Sequence, residues 1–325
     1  MRYLFVLPFV ALTFVSWGVY GPVLHEGQLG LGEGGAPSSL RPLICVGLAY
    51  FFVAVLVPVL TLKLRGEQGS WTSSGAFWSV LSGVAGAVGA LGIIMAFKGG
   101  GKAVYVMPLV FGLAPVVNTL VTMAMTKSFK ETNKFFIAAI AVVALGAAGV
   151  MFFSRGGEVK FAPLKVTDLT LVVFSILLTA FCWGVYGPVL HRGQMKMAGS
   201  RLRPFLCVGL AYFVIAVIVP TAILQIIEEP GSWRVGGTAW SLAGGAAGAI
   251  GALGIILAFN FGGKPIFVMP LVFGVAPVVN TFTTIVSSEA TQLPTAFYVS
   301  LVMVAIGAVG VLVFAPKPKQ GPKPT

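Results

Sequence analysis

Two series of the same motifs follow one another along this chain. The nine residues WGVYGPVLH occupy positions 17–25 and return at 183–191. The motifs VGLAYF, GALGII, MPLVFG and APVVNT follow in the same order in both copies, beginning at Val46, Gly89, Met107 and Ala114 and again at Val208, Gly251, Met269 and Ala276. A four-residue insertion in the glycine-rich loop at 29–39 accounts for the change in spacing between the copies. The sequence therefore predicts two copies of one folding unit.

The composition indicates that both units lie in a membrane. Hydrophobic residues make up 57% of the chain and charged residues 9%, with a mean hydropathy of +0.97. A water-exposed surface needs far more charge than this. The three cysteines, Cys45, Cys182 and Cys207, stand in apolar runs and are expected to be buried small residues.

Apolar runs long enough to cross a bilayer predict an all-α integral membrane protein with about ten transmembrane helices. The first run resembles a signal peptide, but its copy lies in the middle of the chain, so both are expected to be retained helices. The predicted spans are 3–24, 42–63, 75–97, 103–125 and 135–153, and then 169–190, 204–227, 237–259, 265–286 and 294–314. The predicted divisions are a five-helix unit at 1–154, a linker at 155–166, a second unit at 167–315 and a disordered basic tail at 316–325.

Five helices is an odd number, so two successive copies would enter the membrane in opposite directions and form an inverted repeat. On this topology 14 of the 21 lysines and arginines fall on one side, together with both termini. The positive-inside rule then predicts cytoplasmic termini in a plasma or inner membrane. Topology thus explains most of the net charge of +12 without a nucleic-acid partner.

Several motifs resemble those of the EamA-type drug/metabolite transporter superfamily. They are Trp17-Gly18 in the first helix, Arg41-Pro42 at the start of the second, the AFxxGGK turns at 96–102 and 258–264, and a proline inside the fourth helix. The resemblance implies ten helices as two inverted repeats, and transport of small organic solutes by alternating access. The chain departs from the family pattern where the glutamate after the fourth helix is displaced to Glu131 and the second helix lacks a basic residue.

Prolines and asparagines in the fourth and ninth predicted helices form the first set of substrate-cavity candidates. A proline inside a helix removes one N–H donor and leaves the carbonyl four residues earlier without its usual partner. Broken helices at matching places in two inverted halves indicate a transport site. The candidates are Pro115 and Asn118 with their copies Pro277 and Asn280. The asparagines either contact substrate or hydrogen-bond a neighbouring helix.

Six aromatic residues form the second set of cavity candidates. They are Trp17, Tyr20 and Tyr50 with their copies Trp183, Tyr186 and Tyr212. The alternatives are cavity lining, packing in the core, and the aromatic belt at the membrane surface. The tyrosines at 50 and 212 lie about 12 Å into their helices, at 1.5 Å per residue, where a belt role fits poorly.

Two lysines and two histidines have less specific predicted roles. Lys102 and Lys264 end glycine-rich turns and are gate candidates for an anionic substrate or anchors at the membrane surface. His25 and His191 are expected at helix ends, as interfacial residues or pH sensors. Glycine pairs in the fifth and tenth helices, Gly146 with Gly149 and Gly307 with Gly310, predict close packing or a homodimer contact.

No aspartate or glutamate falls inside a predicted helix core, whereas ion-coupled pumps usually keep one there. The sequence also lacks a catalytic constellation or a metal-ligand cluster, so we expect neither an enzyme nor a cofactor. The resulting hypothesis is a secondary transporter working by facilitated diffusion or exchange, with the lipid bilayer and a small solute as its partners. The alternative is a non-transporting scaffold or a lipid-interacting helical bundle.

Overall fold

A computed structural model of the chain describes residues 6–153, 166–261, 265–287 and 293–315. The predicted tail at 316–325, the gate candidate Lys264 and all of the predicted linker except Val166 lie outside these ranges. Within the described residues the chain is all-helical and has no β-strand. One isolated bridge joins Glu33 and Ala36 in the loop after the first helix.

The described ranges contain ten helices when each π-helical segment is counted with the α-helical segments on either side of it, and we number them α1 to α10. The first five are α1 Leu7–Leu31, α2 Leu40–Leu64, α3 Ser73–Lys98, α4 Ala103–Thr126 and α5 Lys134–Phe153. The second five are α6 Val166–Lys196, α7 Leu202–Leu224, α8 Val235–Asn260, α9 Pro265–Ser287 and α10 Thr295–Val313. A short 3₁₀ turn, Phe129–Glu131, precedes α5.

Eight of these helices are long and apolar enough to cross a membrane, as judged on the described residues alone. In α5 and α9 the apolar stretches found on that basis are shorter, Lys134–Val150 and Leu271–Val286. The chain is thus compatible with a multi-pass membrane protein.

The first helix of each copy is longer than its apolar run predicts. The run in α1 ends at Leu24, but the helix continues to Leu31, and α6 continues to Lys196. The extension of α1 is stabilised by packing: the buried Gln28 donates through Nε2 to the carbonyls of Ser38, at 3.0 Å, and Ile94, at 3.2 Å. The prediction that His25 and His191 end their helices is therefore wrong, and the exposed Glu26 also lies within α1.

Helices α2 and α7 each contain one widened turn at equivalent positions. The π-helical segments are Phe52–Leu56 and Val214–Ile218, which precede Pro58 and Pro220. A proline donates no backbone hydrogen bond and its ring crowds the carbonyl four residues earlier. A π turn before the proline accommodates both effects without ending the helix.

The two copies pack against each other through equivalent pairs of helices. Helix α1 packs on α8 and α9, α6 packs on α3 and α4, and α2 packs on α7. The contacts come in matching pairs: Thr13 donates to the carbonyl of Gly251 at 3.0 Å, and Thr179 donates to that of Gly89 at 3.1 Å. A Cβ at Gly89 would overlap Trp183 and one at Gly251 would overlap Trp17, so the glycines of α3 and α8 permit this close approach.

Helices α5 and α10 lie against each other in the same chain. A Cβ at Gly146 would come within 2.8 Å of the Val304 nitrogen, and one at Gly307 within 2.7 Å of the Val143 nitrogen. The glycines on these two helices therefore serve packing within the chain. A homodimer through α5 and α10 stays a prediction, and it would use their outer surfaces, where Ile137, Leu145 and Ile306 are exposed.

Two loop glutamates cap helices of the opposite copy. Glu229 accepts from the backbone N–H of Ser39 at 2.6 Å and of Leu40 at 3.0 Å, at the start of α2, and pairs with Arg41 at 3.2 Å. Glu67 makes the matching contacts at the start of α7, with the N–H of Arg201 at 2.9 Å and the guanidinium of Arg203 at 3.6 Å. A carboxylate at a helix N-terminus satisfies unpaired N–H groups and complements the helix dipole.

Candidate functional site

A cavity lies at the centre of the bundle, between the two copies. The volume open to the centres of water molecules is about 60 Å³. That is room for a few waters. The cavity is lined by Trp17, Tyr20, Tyr50, Gly86, Phe111, Trp183, Tyr186, Tyr212, Gly248, Ala252 and Phe273. The structure thus brings all six aromatic candidates from the sequence into one place.

The two tryptophans are fixed by equivalent hydrogen bonds. The indole N–H of Trp17 donates to the carbonyl of Gly248 at 3.1 Å, and that of Trp183 donates to Gly86 at 3.3 Å. The same edges of the rings pack onto the glycine-rich surfaces of α3 and α8. The polar edge of each indole is therefore tied to a helix, and the remainder of the ring is left to line the cavity.

Tyr50 and Tyr212 stack on one another in the cavity wall. Their ring centroids are 3.7 Å apart and the planes differ by 4°. Both residues are almost completely buried, at 8% and 3% exposed. Since α2 and α7 carry one tyrosine each, the pair joins the two copies directly beside the cavity.

Phe111 and Phe273 complete the aromatic wall, and the sequence analysis did not select them. Phe111 lies 6.4 Å from Trp17, 6.2 Å from Trp183 and 6.4 Å from Phe273, measured between ring centroids. Each phenylalanine stands two helical turns before an asparagine of the same helix. Their place in the repeated motif MPLVFG was a signal that could have identified them.

The asparagine and proline candidates lie beside the cavity and do not line it. Asn280 is fully buried and donates to the carbonyl of Ala103 at 3.0 Å. Asn118 is half-buried and donates to the carbonyl of Gly184 at 3.2 Å. Pro115 and Pro277 are buried within α4 and α9. Both amides thus connect helices of different copies, which is one of the two roles that the sequence left open.

The two ends of the cavity differ in packing. We call them the Arg41 end, marked by Gln28, Arg41 and Glu229, and the Glu67 end, marked by Glu67 and Arg203. At the Arg41 end the ring of His25 packs at a tilt against that of Phe97, with centroids 4.8 Å apart, and Tyr20 is 3% exposed. At the Glu67 end the equivalents His191 and Tyr186 are exposed and half-buried.

Lys102 precedes α4 at the Arg41 end, and its side chain is exposed. Partial desolvation of the ammonium lowers the pKa of Lys102 below its ordinary value. It is absent from the cavity lining, so a gate role for Lys102 stays a prediction.

The electrostatics of the cavity are simple. No charged side chain lines it in the part of the chain that the structure describes. Across all the described residues there is no group of histidine, cysteine or acidic side chains able to hold a metal ion. The Tyr20 hydroxyl is buried and has no hydrogen-bond partner among the described residues. The cavity is therefore a largely apolar, aromatic chamber whose lining includes this unpartnered hydroxyl.

Comparisons with known proteins place the fold and nothing finer. No family model matches the chain, and no curated protein matches it. A solved structure described as "Crystal structure of protein" superposes with a TM-score of 0.57, over 97% of this chain and 98% of that chain, at 18% sequence identity. The two chains are therefore similar in fold along their whole length.

Proposed function

We propose that this protein is a secondary transporter that moves small organic solutes across a membrane by alternating access. The observation that carries the proposal is the central cavity, whose aromatic walls are supplied in matching pairs by the two copies. Ligand sites in such transporters lie at the interface of structural repeats, near the middle of the bilayer.

The proposed architecture is ten helices arranged as two inverted five-helix repeats, as in the EamA-type drug/metabolite transporter superfamily. Reciprocal contacts support this arrangement: Thr13 with Gly251 and Thr179 with Gly89, and each loop glutamate with the opposite copy. In this topology Glu229 and Glu67 lie on opposite membrane surfaces. The excess of basic residues on one side supports cytoplasmic termini in a plasma (inner) membrane.

Unequal contacts at the two ends of the cavity suggest how the transporter would switch. At the Arg41 end Asn280 donates to the carbonyl of Ala103, the first residue of α4. By the repeat, Asn118 would bond to the backbone of Pro265, the first residue of α9, but here it bonds to Gly184. We propose that the other access state exchanges these partners, with Asn118 closing the Glu67 end while Asn280 releases Ala103.

The cavity lining also bears on energetics. A driving ion must bind a group whose occupancy changes substrate affinity or the balance between access states. No carboxylate lines the described cavity. The proposal is therefore facilitated diffusion or solute exchange, with no strong coupling to protons.

Exchange across liposomes tests the proposal. Purified protein is reconstituted, the vesicles are loaded with an unlabelled metabolite panel, and entry of each labelled solute is followed. Saturable entry that is accelerated by the same solute inside supports a transporter. Absence of entry for the whole panel, with folded protein in the bilayer, would favour a scaffold or lipid-interacting bundle instead. A variant with Trp17→Leu and Trp183→Leu supplies the inactive control.

A further inference from the structure

We infer that the central cavity binds a small organic cation of the methylated-ammonium type. This inference rests on the proposed function, because it names the solute class of the same site. Eight of the eleven residues that line the cavity are aromatic. Aromatic cages without a carboxylate are a known way to hold quaternary ammonium groups, which have no N–H to satisfy.

Ring orientation favours a cation over an anion. An aromatic ring is electronegative on its face and electropositive at its edge. The N–H edges of Trp17 and Trp183 are bonded to the carbonyls of Gly248 and Gly86, so the positive edges are turned into α8 and α3. Where ring faces are presented to a ligand, they attract a cation and repel a carboxylate.

The lining also disfavours carboxylic acids and amino acids. A carboxylate buried in an apolar site needs a cation or several strong donors to offset its desolvation. No lysine, arginine or histidine lines the described cavity, and the indole donors are already occupied, so only tyrosine hydroxyls are left as donors for a carboxylate. A methylated ammonium spreads its charge over several carbons and is weakly hydrated, so its transfer costs far less.

The rings of the cage lie close enough together to surround such a group once the walls separate. The ring centroids of Phe111 lie 6.4 Å from Trp17 and 6.2 Å from Trp183, and Tyr20 lies 6.0 Å from Trp183. A cation among these rings would lie within about 6 Å of several centroids, which is the range of the cation–π attraction. The cavity as it stands is small, so binding would require a modest separation of the walls.

Tyr20 adds a second element of recognition. Its hydroxyl is buried without a partner in the described part of the chain, so a ligand group that can hydrogen-bond to it would satisfy it. A protonated tertiary amine has one N–H and can donate to this oxygen, whereas a quaternary ammonium cannot. The hydroxyl therefore sets the preference between these two kinds of cation.

The test compares two ligands of the same shape. Choline and its uncharged isostere 3,3-dimethylbutan-1-ol are titrated against the full chain in a maltoside detergent, away from choline headgroups, with tryptophan fluorescence and thermal unfolding as readouts. We expect choline to bind at least about tenfold more tightly than the isostere. Equal binding of both ligands, binding of the isostere alone, or binding of neither overturns the inference. This comparison requires no variant of the protein.

Variants then locate the site. Trp17→Leu and Trp183→Leu should each weaken choline binding, while Trp240→Leu, whose indole is 51% exposed and outside the cavity, should leave it unchanged. Tyr20→Phe should weaken binding of trimethylammonium and spare tetramethylammonium, since neither ion carries a hydroxyl and only the first has an N–H. Unchanged choline affinity in both cavity variants would place the cation elsewhere and overturn the assignment.

The outcomes separate this inference from the proposed function. Choline binding without any exchange across liposomes would contradict the transporter and leave the cation site standing. Exchange of another solute across liposomes, without choline binding, would leave the proposed transport function standing and overturn the cation site.

Discussion

Tyr50 and Tyr212 stack face to face at the centre of the molecule, with ring centroids 3.7 Å apart. The two residues occupy the same position in the two copies of the repeated sequence, in the motif VGLAYF. Equivalent residues touch one another only where the two copies meet. This pair therefore joins the two copies at the wall of the cavity, and a change in the relative position of the copies would alter the stacking of the two rings.

Removing either ring should destabilise the protein. Tyr50→Ala or Tyr212→Ala deletes a buried aromatic side chain, which costs about 3–5 kcal/mol in unfolding free energy. Tyr50→Phe and Tyr212→Phe keep the stack and should cost far less. Urea unfolding in detergent measures both, and a double-mutant cycle between the alanine variants should give about 0.5–1.5 kcal/mol of coupling. Strictly additive effects would mean that the stack contributes nothing of its own.

The cap at Glu229 should make stability depend on acid pH. Burial alone would raise the pKa of Glu229, but hydrogen bonds from Leu40, Ser39 and Ser38, together with Arg41, outweigh it and hold the pKa below its ordinary 4.5. A group with a depressed folded pKa stabilises the protein fully above its unfolded pKa. That stabilisation is lost as the pH falls through the folded pKa.

Glu229→Gln should therefore lower stability at neutral pH, by about 1–3 kcal/mol, and reduce the loss on acidification. Thermal unfolding between about pH 6 and pH 3 measures this difference. Glu228→Gln is the matched control, since its side chain is exposed one residue away. The same acid sensitivity in wild type and Glu229→Gln would show that the cap does not titrate in this range.

The two asparagines should affect opposite ends of the cavity. Asn280→Leu leaves the buried Ala103 carbonyl without its donor, at a cost of about 1–3 kcal/mol, so the Arg41 end should open more readily. Amide hydrogen exchange should become faster at the start of α4 in this variant. Asn118→Leu should instead affect α6 near Gly184, and both should slow solute exchange more than Trp240→Leu. Wild-type rates of amide hydrogen exchange and of solute transport in both variants would leave the two asparagines a purely structural role.

Opposite orientation of the copies can be tested by loop accessibility. Reporter tags in the loop at 32–39 and in the loop at 197–201 should be found on opposite sides of the membrane, the first outside and the second in the cytoplasm. A tag after residue 315 should also be cytoplasmic. Both loops on one side would exclude an inverted repeat.

Much of the arrangement could be predicted because the sequence repeats. The duplicated motifs selected Trp17, Tyr20, Tyr50 and their copies, and all six line one cavity. Eight of the ten helices begin and end within about three residues of the predicted bounds, because bilayer thickness limits an apolar run. Helices α1 and α6 exceed their runs because hydrogen bonding of a helix continues through polar residues such as Gln28.

The contacts between the copies could not be predicted in the same way. Glycines such as Gly89 permit close packing of α3, but their spacing in the sequence does not specify the partner, which is α6 of the other copy. From the sequence alone, Glu67 and Glu229 are indistinguishable from ordinary loop residues. Their capping roles depend on helix starts more than 130 residues away along the chain. The widened turns before Pro58 and Pro220 also depend on how each helix relieves its proline.

Solute movement under an imposed pH gradient tests the central proposal most directly. Proteoliposomes, with a panel that includes choline, are assayed for entry and exchange with and without a proton ionophore. We predict saturable entry down the solute gradient and exchange that the ionophore leaves unchanged, both lost when Trp17 and Trp183 are replaced by leucine. Accumulation against the solute's own gradient that the ionophore abolishes would contradict the uncoupled mechanism, and no protein-dependent movement of any solute would contradict transport itself.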